Sequence, residues 1–179
     1  MVTAQRVEAP HLESIRTRAR RVAEAVPDPE LPMLTLADLG VLRGVEVDAD
    51  GTVTASITPT YSGCPAMAEM RSDVAARLRA AGFPEVRIRT VLDPPWTSDW
   101  ISAEGRRKLA EYGIAPPGPA PRRAVGPVPL TLSPTRRAVA CPRCGSSETE
   151  ETSRFSATSC KALWRCRNCL EPFEHLKEI

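Results

Sequence analysis

The chain has 179 residues, 42% of them hydrophobic and 26% charged, with a formal net charge of +2. Those values describe an ordinary globular protein, one domain or a medium domain with a very small one, and the charge is too small to imply an anionic partner. Its apolar runs fall far short of the roughly 20 residues a membrane span needs. Met1 to Pro10 lacks the charged-then-apolar pattern of a signal peptide, so the expected compartment is the cytoplasm. With no signal, the six cysteines, four of them in CxxC pairs, point to metal rather than to disulfides.

Leu12, Ile15, Ala19, Val22, Ala23 and Val26 recur at helical spacing and predict a first helix that ends at Pro27 and Pro29. The acidic, proline-rich stretch Asp28-Pro29-Glu30-Leu31-Pro32 reads as a loop. Val41, Arg43, Val45 and Val47 alternate as a strand does. Asp48-Ala49-Asp50-Gly51 is then a hairpin turn, and the return strand buries Val53, Ala55 and Ile57 on one face. A loop through Cys64 leads into a second helix, with a core stripe of Met67, Met70, Val74, Leu78 and Ala81 and Gly82 as its stop. Residues 85–92 form a third strand with Val86 and Ile88 inward. Ser102 caps a short last helix ending near Tyr112-Gly113. The predicted class is α+β, a small α-β-β-α-β-α domain over residues 11–114 with helices on one sheet face.

Pro116 to Pro134 holds seven prolines and two glycines without a clean period, and residues 115–137 read as a Pro/Arg-rich linker. Residues 138–179 form the second domain, a β-hairpin zinc ribbon. Cys141-Pro-Arg-Cys144-Gly145 is one knuckle and Cys166-Arg-Asn-Cys169 the other, 21 residues apart. Two residues between cysteines let both sulfurs of a turn reach one ion, and four thiolates suit tetrahedral zinc, with a rubredoxin-like iron as the alternative that spacing does not separate. A domain of about 40 residues rarely folds on its core alone, so the metal contributes to folding. Four cysteines close the coordination shell, which makes the metal structural rather than catalytic. Phe155, Leu163, Trp164, Phe173 and Leu176 are the expected core, and His175 reads as a packing or surface residue.

Two cysteines stand outside the knuckles. Cys64 lies just before Pro65 at a helix N-terminus, where amides and the helix dipole favour a thiolate. It is either a reactive thiol or soft-metal ligand, or a small buried filler. Cys160 has Lys161 beside it, and again a lowered pKa competes with an ordinary hairpin position. The loop Asp93-Pro94-Pro95-Trp96-Thr97-Ser98-Asp99-Trp100 is either a partner-binding surface or a lid on the core.

The stretches 28–32, 41–57 and Thr58-Pro59-Thr60-Tyr61-Ser62-Gly63-Cys64-Pro65 resemble the small α+β domain of iron–sulfur assembly and targeting factors. In that family the Asp-Pro-Glu loop and the cysteine before the helix lie close together and are linked to cluster handling. The resemblance implies the same role for Asp28, Glu30 and Cys64. From about Leu12 onward the whole chain is similar to the PaaD family, the D-type subunits of the bacterial phenylacetyl-CoA 1,2-epoxidase system. Trp96-Thr97-Ser98-Asp99-Trp100-Ile101, the linker, the ribbon, and the runs 160–166 and 171–173 carry that likeness. It implies an accessory protein of phenylacetate breakdown, not an enzyme, whose partners are the oxygenase and reductase subunits of the complex. The sequence lacks the paired Glu-x-x-His motifs of a di-iron bundle, a glycine-rich dinucleotide loop and the plant-ferredoxin cysteine pattern. The expected role is delivery or installation of iron or a cluster. Cys64 and Cys160, with Asp28 and Glu30, are the candidate transient site, shared across a homodimer.

Two other classes compete. No Asp or Glu falls between Glu111 and Glu148, while Arg122, Arg123, Arg136, Arg137 and Arg143 do, so a nucleic-acid-binding or protein-binding adaptor is one alternative. Near-neutral overall charge argues against nucleic acid. An enzyme with Cys64 as nucleophile needs a base, and neither His11 nor His175 sits in a recognisable motif.

Overall fold

The computed structural model describes residues 9–61, 63–121 and 139–179. The fold is α+β, as the sequence implied. Two compact units make it up, Met1–Trp96 with Trp100–Gly105, and Thr97–Asp99 with Arg106–Ile179. Among the described residues no helix is long and apolar enough to cross a membrane.

The first unit opens with α1 (Ala9–Glu24), whose Ala19 and Ala23, with Val26 just beyond its end, are fully buried. Pairs such as Arg20–Glu24 occupy its exposed side and add only a few tenths of a kcal/mol each. β1 (Leu42–Val47) and β2 (Val53–Ile57) form the expected antiparallel hairpin. Gly51 takes φ 85° in the turn, and the Asp50 carboxylate accepts the Thr52 N–H at 3.0 Å, which holds Asp50 below the usual carboxylate range. After α2 (Met67–Ala80) the chain returns as β3 (Val86–Thr90), parallel to β2, so the sheet order is β1-β2-β3. A parallel neighbour requires a crossover, and α2 is that crossover. Met70, Val74 and Leu78 of its predicted stripe are buried, while Met67 and Ala81 are half-buried.

The stretch between α1 and β1 contributes far more core than a loop reading allows. Leu31, Leu34, Leu36, Leu39 and Val41 are all buried. The backbone doubles back, with Asp28 N–H donating to the Leu34 carbonyl (2.9 Å) and Leu36 N–H to the Val26 carbonyl (2.8 Å). Thr35 and Asp38 exchange backbone-to-side-chain bonds of 3.0 and 3.1 Å. Trp96 closes over this segment, its indole N–H donating to the Leu39 carbonyl at 2.8 Å. Gly40 (φ 67°) is required beside Trp100, since a Cβ there would stand 2.6 Å from the Trp100 Cβ. Arg43 stacks on the Trp100 ring at 3.6 Å. Of the two readings of the tryptophan loop, Trp96 fits the lid.

The second unit is a four-stranded sheet in the order β4-β7-β6-β5. α3 (Ala103–Glu111) starts at Ser102, whose hydroxyl accepts the Gly105 N–H at 2.9 Å, the expected cap. From Arg106 onward the chain groups with the ribbon, upstream of the boundary expected at residue 114. The reason is packing: β4 (Ile114–Ala115) pairs in parallel with β7 (Pro172–Leu176), and Arg106 bonds the carbonyls of Ser98 and Pro117. Ala115, expected as the first linker residue, is therefore a buried strand residue. Residues 122–137 of that linker, with residue 138 of the expected ribbon, lie outside the described residues.

β5 (Thr149–Ser153), β6 (Lys161–Cys166) and β7 are antiparallel neighbours. The core joins Ala115, Val139, Ala162, Trp164 and Phe173 to Cys141 and Cys166. Trp164, Phe173 and Leu176 are buried as expected, but Leu163 and Phe155 are exposed. Strand alternation accounts for Leu163, because Trp164 faces in and its neighbour must face out. Phe155 lies between β5 and β6, with the Lys177 ammonium 4.3 Å from its ring centre.

Candidate metal centre

Each knuckle is shaped by its own turn. In the first, Cys141 N–H donates to the Ser146 carbonyl (2.9 Å) and Gly145 N–H to the Cys141 carbonyl (2.8 Å). In the second, Cys166 N–H donates to the Glu171 carbonyl (2.9 Å), and Cys169 N–H points at the Cys166 sulfur from 3.4 Å. The residue after each second cysteine has positive φ, 74° at Gly145 and 62° at Leu170. Gly145 adopts this region without cost, whereas an L side chain such as Leu170 is strained by it.

These turns bring all four sulfurs within 4.8 Å of one another. Cys141 Sγ lies 3.7 Å from Cys169 Sγ, and Cys144 Sγ lies 3.6 Å from Cys166 Sγ. A tetrahedron of sulfurs at the usual zinc–sulfur distance has edges of about 3.8 Å, so the donor set fits zinc in both size and softness. Cys141 and Cys166 are rooted in the core while Cys144 and Cys169 are exposed. The Ser146 amide, followed by the Cys169 side chain, lowers the Cys144 thiol to about 6. At Cys169 the Glu171 amide favours the thiolate, but burial and the three neighbouring cysteines outweigh it and push the thiol up to about 12. Four thiolates this close need a cation among them. Zinc would offset half of their charge and cross-link the two knuckles, and no coordination position would be left for a substrate.

The other candidate residues lie outside the two knuckles. His175 is buried, edge-on to Trp164 (ring centres 5.8 Å apart), with Nε2 3.5 Å from Glu178 Oε1; of the surface and packing roles expected, its burial fits packing. Cys160 is buried ahead of β6, its sulfur 3.1 Å from the Thr158 hydroxyl. The adjacent Lys161 is directed at Glu174 instead (2.7 Å). Burial opposes ionisation of Glu174, but Lys161 and Ser156 outweigh it and hold the carboxyl low. Cys64 is buried in the turn before α2, with its carbonyl accepting the Met67 N–H at 3.3 Å. Gly63 beside it (φ 83°) has open space where a Cβ would stand. Asp28 is buried and accepts the N–H groups of Glu30 (2.9 Å) and Leu31 (2.8 Å), so it shapes its own loop. Glu30 is half-buried. Among the described residues, the four ribbon cysteines form the group of three or more potential metal ligands.

Sequence reasoning missed the strained Leu170 and the pair of buried Lys161 with half-buried Glu174. Leu170 is signalled by its position, equivalent to Gly145 in the first knuckle. The ion pair carries no local signal.

Two known families match different parts of the chain. The PaaD zinc beta ribbon domain family matches residues 126–177, and the iron-sulfur cluster assembly protein family matches residues 16–92. An Escherichia coli K12 protein named as a component of 1,2-phenylacetyl-CoA epoxidase is 43% identical over 86% of this chain and 87% of its own length. The chain belongs to the PaaD family. Its N-terminal part is also 36% identical to a Porphyromonas gingivalis Fe-S protein maturation auxiliary factor, over 50% of this chain and 85% of that one. A Bacillus anthracis domain of unknown function shares its fold, with a TM-score of 0.52 and 28% identity over 57% of this chain and 97% of that one. A PaaD family member thus combines an Fe-S assembly domain with a four-cysteine ribbon.

Proposed function

We propose that this protein is the accessory maturation subunit of a phenylacetyl-CoA epoxidase system, assisting assembly of iron or iron–sulfur centres in its oxygenase or reductase partners. The carrying observation is that one chain joins a domain related to Fe-S maturation factors to a closed four-thiolate ribbon. The ribbon cysteines, saturated by one structural zinc, cannot hold cargo that must leave. Cys64, preceded by a glycine whose Cβ position is open, is the thiol suited to transient iron or a cluster, with Asp28 and Glu30 in the same unit. Cys160 is the second candidate ligand and is tested on its own. Such a factor works in the cytoplasm beside its client proteins, as a monomer or as a homodimer that pairs two Cys64 thiols.

The test is metal and acid-labile sulfide analysis of protein purified without oxygen, together with epoxidase activity in cells. One zinc per chain plus substoichiometric iron and sulfide is expected. Cys64→Ser should remove the iron and abolish epoxidase maturation while zinc content is unchanged, and Cys160→Ser should do the same if that thiol takes part. Full epoxidase activity in cells carrying the Cys64→Ser, Cys160→Ser double variant would sink the cargo role.

A further inference from the structure

β3 is the last strand of its sheet. Its bonding to β2 is fixed by the two ends of the ladder, Val53 N–H to the Glu85 carbonyl (2.9 Å) and Val91 N–H to the Ile57 carbonyl (2.8 Å). In a parallel ladder of that register, Arg87 and Arg89 turn their backbone groups toward β2. Val86, Ile88 and Thr90 therefore turn their N–H and C=O groups to the outer edge, where no strand pairs with them among the described residues. An open edge of this kind is a template for an extended polypeptide.

The side chains beside that edge select the polypeptide. Arg87 and Arg89 are in register with Thr54 and Ser56, so they stand on the sheet face away from buried Val53 and Ala55, and both are exposed. On the other side, exposed Arg71 of α2 donates to the Thr90 hydroxyl at 2.9 Å. Asp50 is the acid whose charge Arg87 feels, and Arg89 makes no ion pair among the described residues. Val86 and Ile88 are half-buried, leaving apolar surface for alternate residues of an incoming strand. A second copy is a poor occupant. Antiparallel pairing of β3 with itself sets Arg87 and Arg89 against the same arginines on one face, and like charges directly opposite are destabilising.

We propose that the outer edge of β3 is a docking site for an extended acidic segment of a partner protein, added to the sheet as a fourth strand. Backbone groups of Val86, Ile88 and Thr90 bind the segment, and Arg87 and Arg89 select carboxylates at alternate positions. The site needs no metal cargo and holds whether or not Cys64 carries iron, so its failure and failure of the maturation reading are separate results.

The experiment is amide hydrogen exchange, resolved by residue, on the zinc-loaded full chain titrated with a short capped peptide alternating glutamate and valine. The expected result is exchange slowed about tenfold at Val86, Ile88 and Thr90, with no such effect from a peptide alternating lysine and valine. The double variant Arg87→Glu, Arg89→Glu should reverse that preference. The wild-type comparison stands alone if the variant fails to fold. No slowing at those amides, equal slowing by both peptides, or slowing that rises with protein concentration in the absence of peptide overturns the proposal, the last because the occupant is then a second copy.

Discussion

The ribbon and the N-terminal unit hold themselves together by different means. In the ribbon, two of the four clustered sulfurs, Cys141 and Cys166, are also core residues beside Trp164 and Phe173. In the N-terminal unit Leu34, Leu36, Ile57, Val74 and Leu78 are fully buried, and Cys64 is a buried residue of the turn before α2. The difference separates two uses of cysteine. Where sulfurs are part of the core, removing the metal removes the fold. Cys64 belongs to no group of three or more potential metal ligands among the described residues, so its unit is expected to fold without metal.

Metal removal tests this contrast most strongly. Structural zinc in such sites is worth about 10–16 kcal/mol of apparent binding free energy, so a strong chelator, or Cys166→Ser, should unfold the ribbon. Hydrogen exchange should show loss of protection across β5, β6 and β7 while β1, β2 and β3 stay protected. Loss of protection in both sheets would break the comparison. The converse is Leu34→Ala. It should destabilise the N-terminal unit by about 2–5 kcal/mol in denaturant titration, with zinc content unchanged.

A smaller effect concerns Lys161 and Glu174 in the ribbon. The Glu174 carboxyl is held below its ordinary value of 4.5, so its contribution is present above that value and is lost as pH falls through the depressed folded-state pKa. Glu174→Gln leaves buried Lys161 without its charged partner and should cost about 2 kcal/mol at neutral pH. Because wild type loses the same interaction in acid, the two stability curves should converge below the ordinary Glu range. Curves that stay parallel would show that the pair is not responsible.

The smallest effects compare the two knuckles. Leu170→Gly relieves the left-handed strain, and Gly145→Ala introduces it where a Cβ meets no neighbour. Opposite changes of about 1 kcal/mol in the stability of the zinc-loaded ribbon are expected, read from thermal melts. Same-sign changes would mean that contacts of Leu170, rather than its backbone, decide.

Local patterns made the zinc tetrad, the 48–51 hairpin turn, the Ser102 cap and most of the α2 stripe legible, because each depends on residues a few positions apart. Residues 31–41 have neither strand nor helix period, and their burial comes from a backbone that folds back on α1's exit and lies under Trp96, 57 positions away. Leu163 and Phe155 were expected inside because hydrophobicity alone does not say which face of a strand is covered. The pairing of Ile114–Ala115 with β7 joins residues about sixty positions apart, and nothing in a two-residue strand announces its partner.

The sequence by itself therefore determined the α+β class, the four ligands of the ribbon and the family to which the chain belongs, because spacing and local turn chemistry carry that information. Tertiary structure alone decided that Trp96 is a lid, that Lys161 serves Glu174 rather than Cys160, and that β3 ends its sheet with an arginine-flanked open edge. Each of those depends on which distant strands and loops become neighbours, a property of chain topology that no local pattern encodes.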